Sequence, residues 1–405
     1  MLFLLIACLA GAGYLQYMIY QKYWAKKLEV TVRFADAYAW EGESSLLIEE
    51  ISNRKRMAVP TLEVCFSVGR NLVFFGEARE NSHISDRNYQ RDIFSLFGHQ
   101  RVIRRIPFAC GKRGFYRITR ADVVGTDFLY LHRYKAEQAQ ETQLYVYPRQ
   151  VDTRRISLIH REITGMIMIQ SRLHPDPFEF SGIREYRVSD PMHAVNWKAS
   201  AKSQSLMVNQ YDSTTSIRVT LVLDVEDREI LRSEDLCEES IRILSSLTAS
   251  LIRSGAEIHI VTNAYMISEE EAAAELETYS DSRSRSILDE KKAEGSAEKK
   301  RELLMMHMQK GAGAAAKLNQ ALARIDLAAE SPEIGDILSG SDHVPGGGGC
   351  CILISKNRRE STDRALTMLS AEGNQVLWVV PVYPGETMEQ ESRMDVRIVR
   401  WEVEQ

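Results

Sequence analysis

Apolar and polar positions alternate from Leu28 to Phe34, with Leu28, Val30, Val32 and Phe34 on one side. A period of two belongs to a half-buried strand. Similar runs recur at Ser45–Ile51, Thr61–Val68, Gln100–Ala109, Gly114–Arg120 and Thr142–Tyr147, separated by turn-prone residues. Short strands at this spacing predict a β-sandwich-like domain over residues 28–150. After a connector over 151–215, the pattern changes. Ile217–Leu223 is β-branched and apolar, as a central strand would be, and Ser233 then opens an amphipathic helix. Ser233 suits an N-cap, and Glu234 and Asp235 suit the positive end of the helix dipole. Leu236, Ile243, Leu244, Leu247 and Leu251 form its buried stripe, and Gly255 ends it. Glu257–Thr262, Cys350–Ser355 and Gln375–Pro381 read as further strands, with a helix at Thr362–Gly373 and an edge strand at Val396–Val403. Alternating strands and helices imply a parallel sheet covered on both faces over 216–405.

Two segments break this pattern. Met1–Tyr20 contains no charged residue, and about 20 apolar residues suffice to cross a bilayer as a helix. Tyr14, Tyr17, Tyr20, Tyr23 and Trp24 gather toward its end, and Lys22, Lys26 and Lys27 follow. Residues 1–24 are therefore expected as a single transmembrane anchor in the cell membrane, with the remaining chain cytoplasmic by the positive-inside rule. The rival, a cleaved signal peptide, lacks its basic leading region and small-residue cleavage site. The second segment, 267–330, is rich in Glu, Lys, Ala and Ser, with no apolar stripe before Leu303–Met308. It is expected as a solvated helical insert.

Composition narrows the function classes. The chain has 405 residues and a formal net charge of -5, which gives no reason to expect nucleic acid as a partner. The six cysteines show no zinc-knuckle or redox spacing and read as buried, reduced thiols. Nine dispersed histidines form no zinc-hydrolase motif, and no Gly-x-Ser-x-Gly occurs. Gly346–Gly349 precedes a strand and lacks the Gly-Lys-Ser/Thr of a phosphate loop.

The densest chemistry lies in Ser181–Lys202, where Arg184, Glu185, Arg187, Asp190, Lys198 and Lys202 surround Tyr186 and Trp197. Arg184-Glu185-Tyr186, Ser189-Asp190, Asn196-Trp197-Lys198 and Ala201-Lys202 resemble, in order and spacing, the signature of the DUF58 family. The chain departs from that pattern at Ser189 (for Gly), Asn196 (for Asp) and Lys202 (for Arg). Gly111–Tyr116 is similar to the family's Arg-Gly-x-Tyr hairpin, and Tyr147-Pro148 to its Val-Tyr-Pro strand end. Asp127-Phe128-Leu129 stands where many relatives have Asp-Pro-Phe-Gly. The resemblance implies an α/β von Willebrand A-like (Rossmann-like) domain beside the β-sandwich-like one. It also implies association with MoxR-type AAA+ ATPases.

The same resemblance implies a divalent-cation site of the form Asp-x-Ser-x-Ser at the end of the first sheet strand. Here the positions read Asp224-Val225-Glu226-Asp227-Arg228. An arginine at a ligand position repels a cation, so Asp224, Glu226 and Asp227 are weak metal candidates and no cofactor is expected. Arg, Trp and Tyr dominate protein-recognition surfaces, so Arg184, Glu185, Tyr186, Asp190, Trp197 and Lys198 are the candidate partner-binding residues. Alternatively, Tyr186 and Trp197 anchor the segment while Arg184/Asp190 and Glu185/Lys198 form ion pairs. The expected function is a non-enzymatic, membrane-anchored scaffold or adaptor. Its alternative is a metal-dependent hydrolase acting on cell-envelope components.

Overall fold

The computed structural model describes residues 2–75, 83–84, 87–173, 180–188, 190–211, 218–228, 233–267, 303–308, 313–340, 349–386 and 396–403. Most of the expected insert, Ser189, Ile217 and residues 346–348 of the glycine run lie outside them. The main division between two compact units falls at Arg149/Gln150.

The first unit begins with helix α1 (Leu2–Tyr23) and continues as strands. β1 (Leu28–Phe34), β3 (Ser44–Asn53), β8 (Arg101–Cys110) and β5 (Leu72–Phe74) form a four-stranded antiparallel sheet. β2 (Tyr38–Trp40), β10 (Arg133–Tyr147), β9 (Gly114–Thr126), β4 (Val59–Gly69), β7 (Arg87–Leu96) and β6 (His83–Ile84) form a six-stranded one. Leu47, Ile51, Phe108, Leu62, Ile118 and Leu144 from the two sheets share one buried core. Every second residue of β1 is buried, as its alternation requires. The Gly111–Arg113 link, expected as a hairpin, joins β8 in one sheet to β9 in the other.

As an edge strand, β1 would leave a row of backbone groups unpaired. Side chains of β10 fill that row at the same period of two. Val30 N–H donates to Gln138 Oε1 at 2.8 Å, Val32 N–H to Gln140 Oε1 at 2.9 Å, and Phe34 N–H to Thr142 Oγ1 at 2.9 Å. The Gln138 and Gln140 amides donate back to the carbonyls of Leu28 and Val30.

The N-terminal helix corrects an expectation. Among the described residues no helix is long and apolar enough to cross a membrane. The anchor over residues 1–24, its lipid-bilayer contact and the cell-membrane, single-pass placement fall with it. The physical reason lies in the aromatic residues expected as an interfacial belt. Tyr20 and Trp24 are buried in the sandwich core. The Tyr20 hydroxyl donates to the Ala58 carbonyl at 2.9 Å, and its ring meets Phe128 edge-on. Trp24 lies so close to Gly125 that a Cβ there would come within 2.7 Å of the indole.

The second unit holds a six-stranded sheet in the order β15 (Leu303–Met308), β14 (Glu257–Tyr265), β13 (Arg218–Leu223), β16 (Cys350–Ile354), β17 (Gln375–Val382), β18 (Val396–Glu402). Its helices are α2 (Thr153–Leu173), α3 (Trp197–Ser203), α4 (Glu234–Arg253), α5 (Ala314–Ala323), α6 (Ile334–Ser339) and α7 (Glu360–Ala371). α2 and α4 pack against each other and the sheet, and α7 packs against β17 and β18. The five expected stripe residues of α4 are all buried, and Gly255 follows the helix at φ +84°, where a side chain is strained.

Of the expected architecture, the von Willebrand A-like domain and the transmembrane helix beside the β-sandwich-like domain do not stand. The chain is built mainly of strands, eighteen against seven α-helices among the described residues. The sheet of the second unit is mixed, since β15 pairs antiparallel with β14. Leu303–Met308, expected as the apolar face of a helix, is that strand. Its Leu304 is buried, and ladder hydrogen bonds to β14 satisfy its backbone as a lone helical turn could not.

Candidate functional site

The signature segment folds as a small module. β11 (Phe180–Glu185) pairs antiparallel with β12 (Met207–Tyr211), and α3 packs on β12. Asn196 caps α3. Its Oδ1 accepts from Ala199 N–H at 3.0 Å, while its Nδ2 donates to Asn209 Oδ1 at 2.7 Å. Asparagine is a strong N-cap residue, and here its amide also ties the cap to β12. Asn196 N–H and Tyr186 N–H donate to the carbonyls of Met207 and Leu206. Buried Val195 and Val208 form a bridge beneath.

Six residues were expected to bind a partner. Arg184 grips Asp190 with two guanidinium bonds of 2.6 and 2.7 Å, and Arg187 N–H donates to the same carboxylate at 2.8 Å. These bonds hold the Asp190 carboxyl down at about 2, the Arg184 contact contributing most. Arg184 also donates to the Glu185 carbonyl. The fork closes the turn between β11 and α3, so Arg184 and Asp190 are frame rather than face. Tyr186 is half-buried. Trp197 is 65% exposed, and Glu185 and Lys198 stand in solvent with no ion pair between them. Sequence reasoning missed the apolar neighbours Val188 (97% exposed), Met192, Ile183 and Leu206. Their signal was present, since apolar residues inside a charged segment have little reason to be there unless something covers them.

The weak metal candidates lie elsewhere, at the carboxyl ends of the parallel strands. β13 pairs with β14 on one side and β16 on the other, and ligands of open α/β sheets favour such a switch point. Asp224 is 1% exposed there. Its Oδ1 accepts from Glu226 N–H at 3.0 Å and Asn263 Nδ2 at 2.6 Å, and its Oδ2 from Ser355 Oγ at 2.6 Å and Asn357 Nδ2 at 2.9 Å. Asn263 and Asn357 further bind Val225 N–H and the Glu226 carbonyl.

The neighbouring carboxylates are matched by the protein's own cations. Lys356 Nζ, with 6% of its side chain exposed, sits 2.9 Å from Asp227. Arg228 and Arg359 approach the buried Glu226 at 2.7 and 3.1 Å, and both also face Glu333. Burial raises the Glu226 carboxyl, against the pull of Arg359.

A divalent ion needs free oxygen lone pairs and a negative cradle. Here four donors occupy the Asp224 oxygens, and three cations stand against Glu226, Asp227 and Glu333. The donor set therefore does not fit the metal the sequence resemblance implies. Among the described residues no group of three or more His, Cys, Asp or Glu side chains is arranged to hold an ion. Asp224 and its partners form a buried polar hub joining β13, β14, the β16 end and the α6 approach.

No family model matches the chain, and no curated protein matches it in sequence. Solved structures similar to part of it include the CARDB domain of the PF1109 protein, in complex with di-metal ions, from Pyrococcus furiosus. That likeness has 10% identity over 28% of this chain and 90% of that chain, with a TM-score of 0.18. A non-cellulosomal cohesin from Archaeoglobus fulgidus is similar at 12% identity over 33% of this chain and 98% of that one, TM-score 0.22. The sixth cohesin from Acetivibrio cellulolyticus scaffoldin B, in complex with a Cel5 dockerin, is similar at 10% identity over 29% and 98%, TM-score 0.21. At these TM-scores the likeness carries no argument, and the module and the polar hub stand on their own geometry.

Proposed function

We propose that the chain is a non-enzymatic adaptor of the DUF58 type that docks a protein partner, a MoxR-type AAA+ ATPase, through the Phe180–Tyr211 module. One observation carries this reading: Trp197 lies 65% exposed at the start of a helix whose cap and flanking turn are locked by hydrogen bonds. A large exposed aromatic on an ordered backbone gains most when a partner covers it, and Trp is among the residues that dominate interface energies. The Arg184–Asp190 fork pre-orders the turn, so binding orders less chain. The hydrolase alternative gains no comparable support, because the Asp224 carboxylate is fully engaged by neutral donors.

The test is calorimetry of the purified chain with the MoxR-type ATPase of the same genome. Trp197→Ala should weaken binding at least ~10-fold, about 1.4 kcal/mol. It should leave the thermal midpoint unchanged, because the indole supports little of the core. Unchanged affinity would remove the module from the interface, and a wild-type chain that gives no heat with the ATPase would sink the partner assignment.

A further inference from the structure

The module carries a charge signature that narrows the docking reading, on which this inference rests. In α3, Trp197 and Ala201 stand one turn apart, as do Lys198 and Lys202 on the adjoining row. All four are exposed. The helix thus offers an indole with two ammonium groups on the row beside it. Met192 precedes it and Leu206 follows it, both exposed. Val188 projects from the turn that Arg184 and Asp190 close.

Among the described residues of the module, the exposed charge beside these apolar side chains is one-sided. Asp190 is consumed by Arg184 and by Arg187 N–H. That leaves the Arg187, Lys198 and Lys202 side chains exposed against the carboxylate of Glu185. The surplus is cationic, in a chain whose formal net charge is -5. We infer that the module takes an acidic protein segment presenting one aromatic or long aliphatic side chain. The apolar group lies against Trp197 and Met192, whose ring and thioether accept varied shapes. The partner's carboxylates meet Lys198, Lys202 and Arg187, giving register and fast, salt-sensitive association.

The experiment uses the full chain and fluorescein-labelled peptides rich in Glu and Asp around a central Trp-Leu pair, read by anisotropy. One control replaces every acid by Lys, and a second replaces Trp-Leu by Ala-Ala. Both controls should bind at least ~10-fold more weakly than the acidic anchored peptide. Its affinity should fall as salt rises from about 50 to 500 mM, as exposed charge pairs are screened. K198E/K202E and Trp197→Ala should each lose it, with unchanged thermal midpoints showing that the variants fold. Equal binding of acidic and basic peptides would overturn the inference. So would wild-type affinity in K198E/K202E. Co-sedimentation with phosphatidylserine vesicles that the acidic peptide does not compete away would show the strip to be a lipid surface instead. Were the peptides not bound while the ATPase still required Trp197, this inference would fall and the docking reading would stand. Were Trp197 to matter for neither, both would fall.

Discussion

Asp224 sits buried at the end of the central strand β13, its two oxygens accepting from four neutral donors. The end of a central strand is where a ligand-binding carboxylate belongs, and the Asp224–Arg228 run signalled an altered ligand set. The replacements were out of reach of local reading. Asn263, Ser355, Asn357 and Lys356 are distant in sequence and converge only through parallel pairing of β13 with β14 and β16. Asp224→Ala would take one acceptor from each of Asn263, Ser355 and Asn357 and should cost about 3–5 kcal/mol in a denaturant melt, the range for breaking a buried charged network. A loss under about 1 kcal/mol would show that the hub contributes little. Magnesium titrated into the wild-type chain should give no stoichiometric heat, because an ion would have to displace those donors. A tight one-to-one heat would revive the metal reading. At the module, the Arg184–Asp190 pair was legible from spacing. The fate of Glu185 and Lys198 was not, because their separation depends on the turn between β11 and α3.

Single elements show where periodicity suffices and where it misleads. β1 runs Leu28–Phe34, the span its alternation predicts, because one wall of a sandwich buries every second side chain. The connector's Arg154, Arg155 and Arg161 read as a solvated helix or loop. It is the long helix α2, but one face is not solvated, since Ile156, Ile159, Ile163 and Met166 are buried. Their spacings of three and four mark that face, and the arginines do not all point away from it. One of them, Arg155, stacks over the buried Trp401 ring at 3.8 Å, and Trp401 Nε1 donates to Glu239. The edge of β1 offers a test of its side-chain seal. Gln140→Ala removes two buried hydrogen bonds, to Val32 N–H and the Val30 carbonyl. It should cost about 1–3 kcal/mol, and Gln138→Ala less, because its bonds are only part-buried. Equal, negligible losses would mean that solvent serves the β1 edge as well as the glutamines do.

For the whole molecule, one buried acid makes a signed contribution to the pH dependence of stability. Glu49 lies fully buried on β3. Burial and the facing Asp92 carboxylate push its carboxyl from 4.5 up to about 8, although Arg104 pulls the other way. A carboxyl raised on folding binds its proton more tightly in the native state, so its stabilising effect is complete at low pH and fades as pH climbs. The window runs from about pH 4.5 to about 8. Over it the denaturation midpoint should fall for the wild type and fall less for Glu49→Gln, with the variant the more stable near pH 8. Parallel pH profiles for the two proteins would refute the assignment of that slope to Glu49. Asp190 has the opposite sign. Its lowered carboxyl, at about 2, keeps the module's fork intact until pH falls well below the ordinary carboxylate range.

Local order in this protein was readable residue by residue. Alternation placed the sandwich strands, the heptad-like stripe placed α4, and Gly255 marked its end, because periodicity and caps are properties of neighbouring residues. Three matters belonged to the tertiary structure alone. Tyr20 and Trp24 entered a core instead of a membrane boundary, because Gly125 and Phe128 stand where their rings must go. Leu303–Met308 became a strand because β14 offered an open edge. The Asp224 oxygens were claimed by Asn263 of β14 and by Ser355 and Asn357 just after β16, because only the pairing of parallel strands brings those donors within hydrogen-bonding reach.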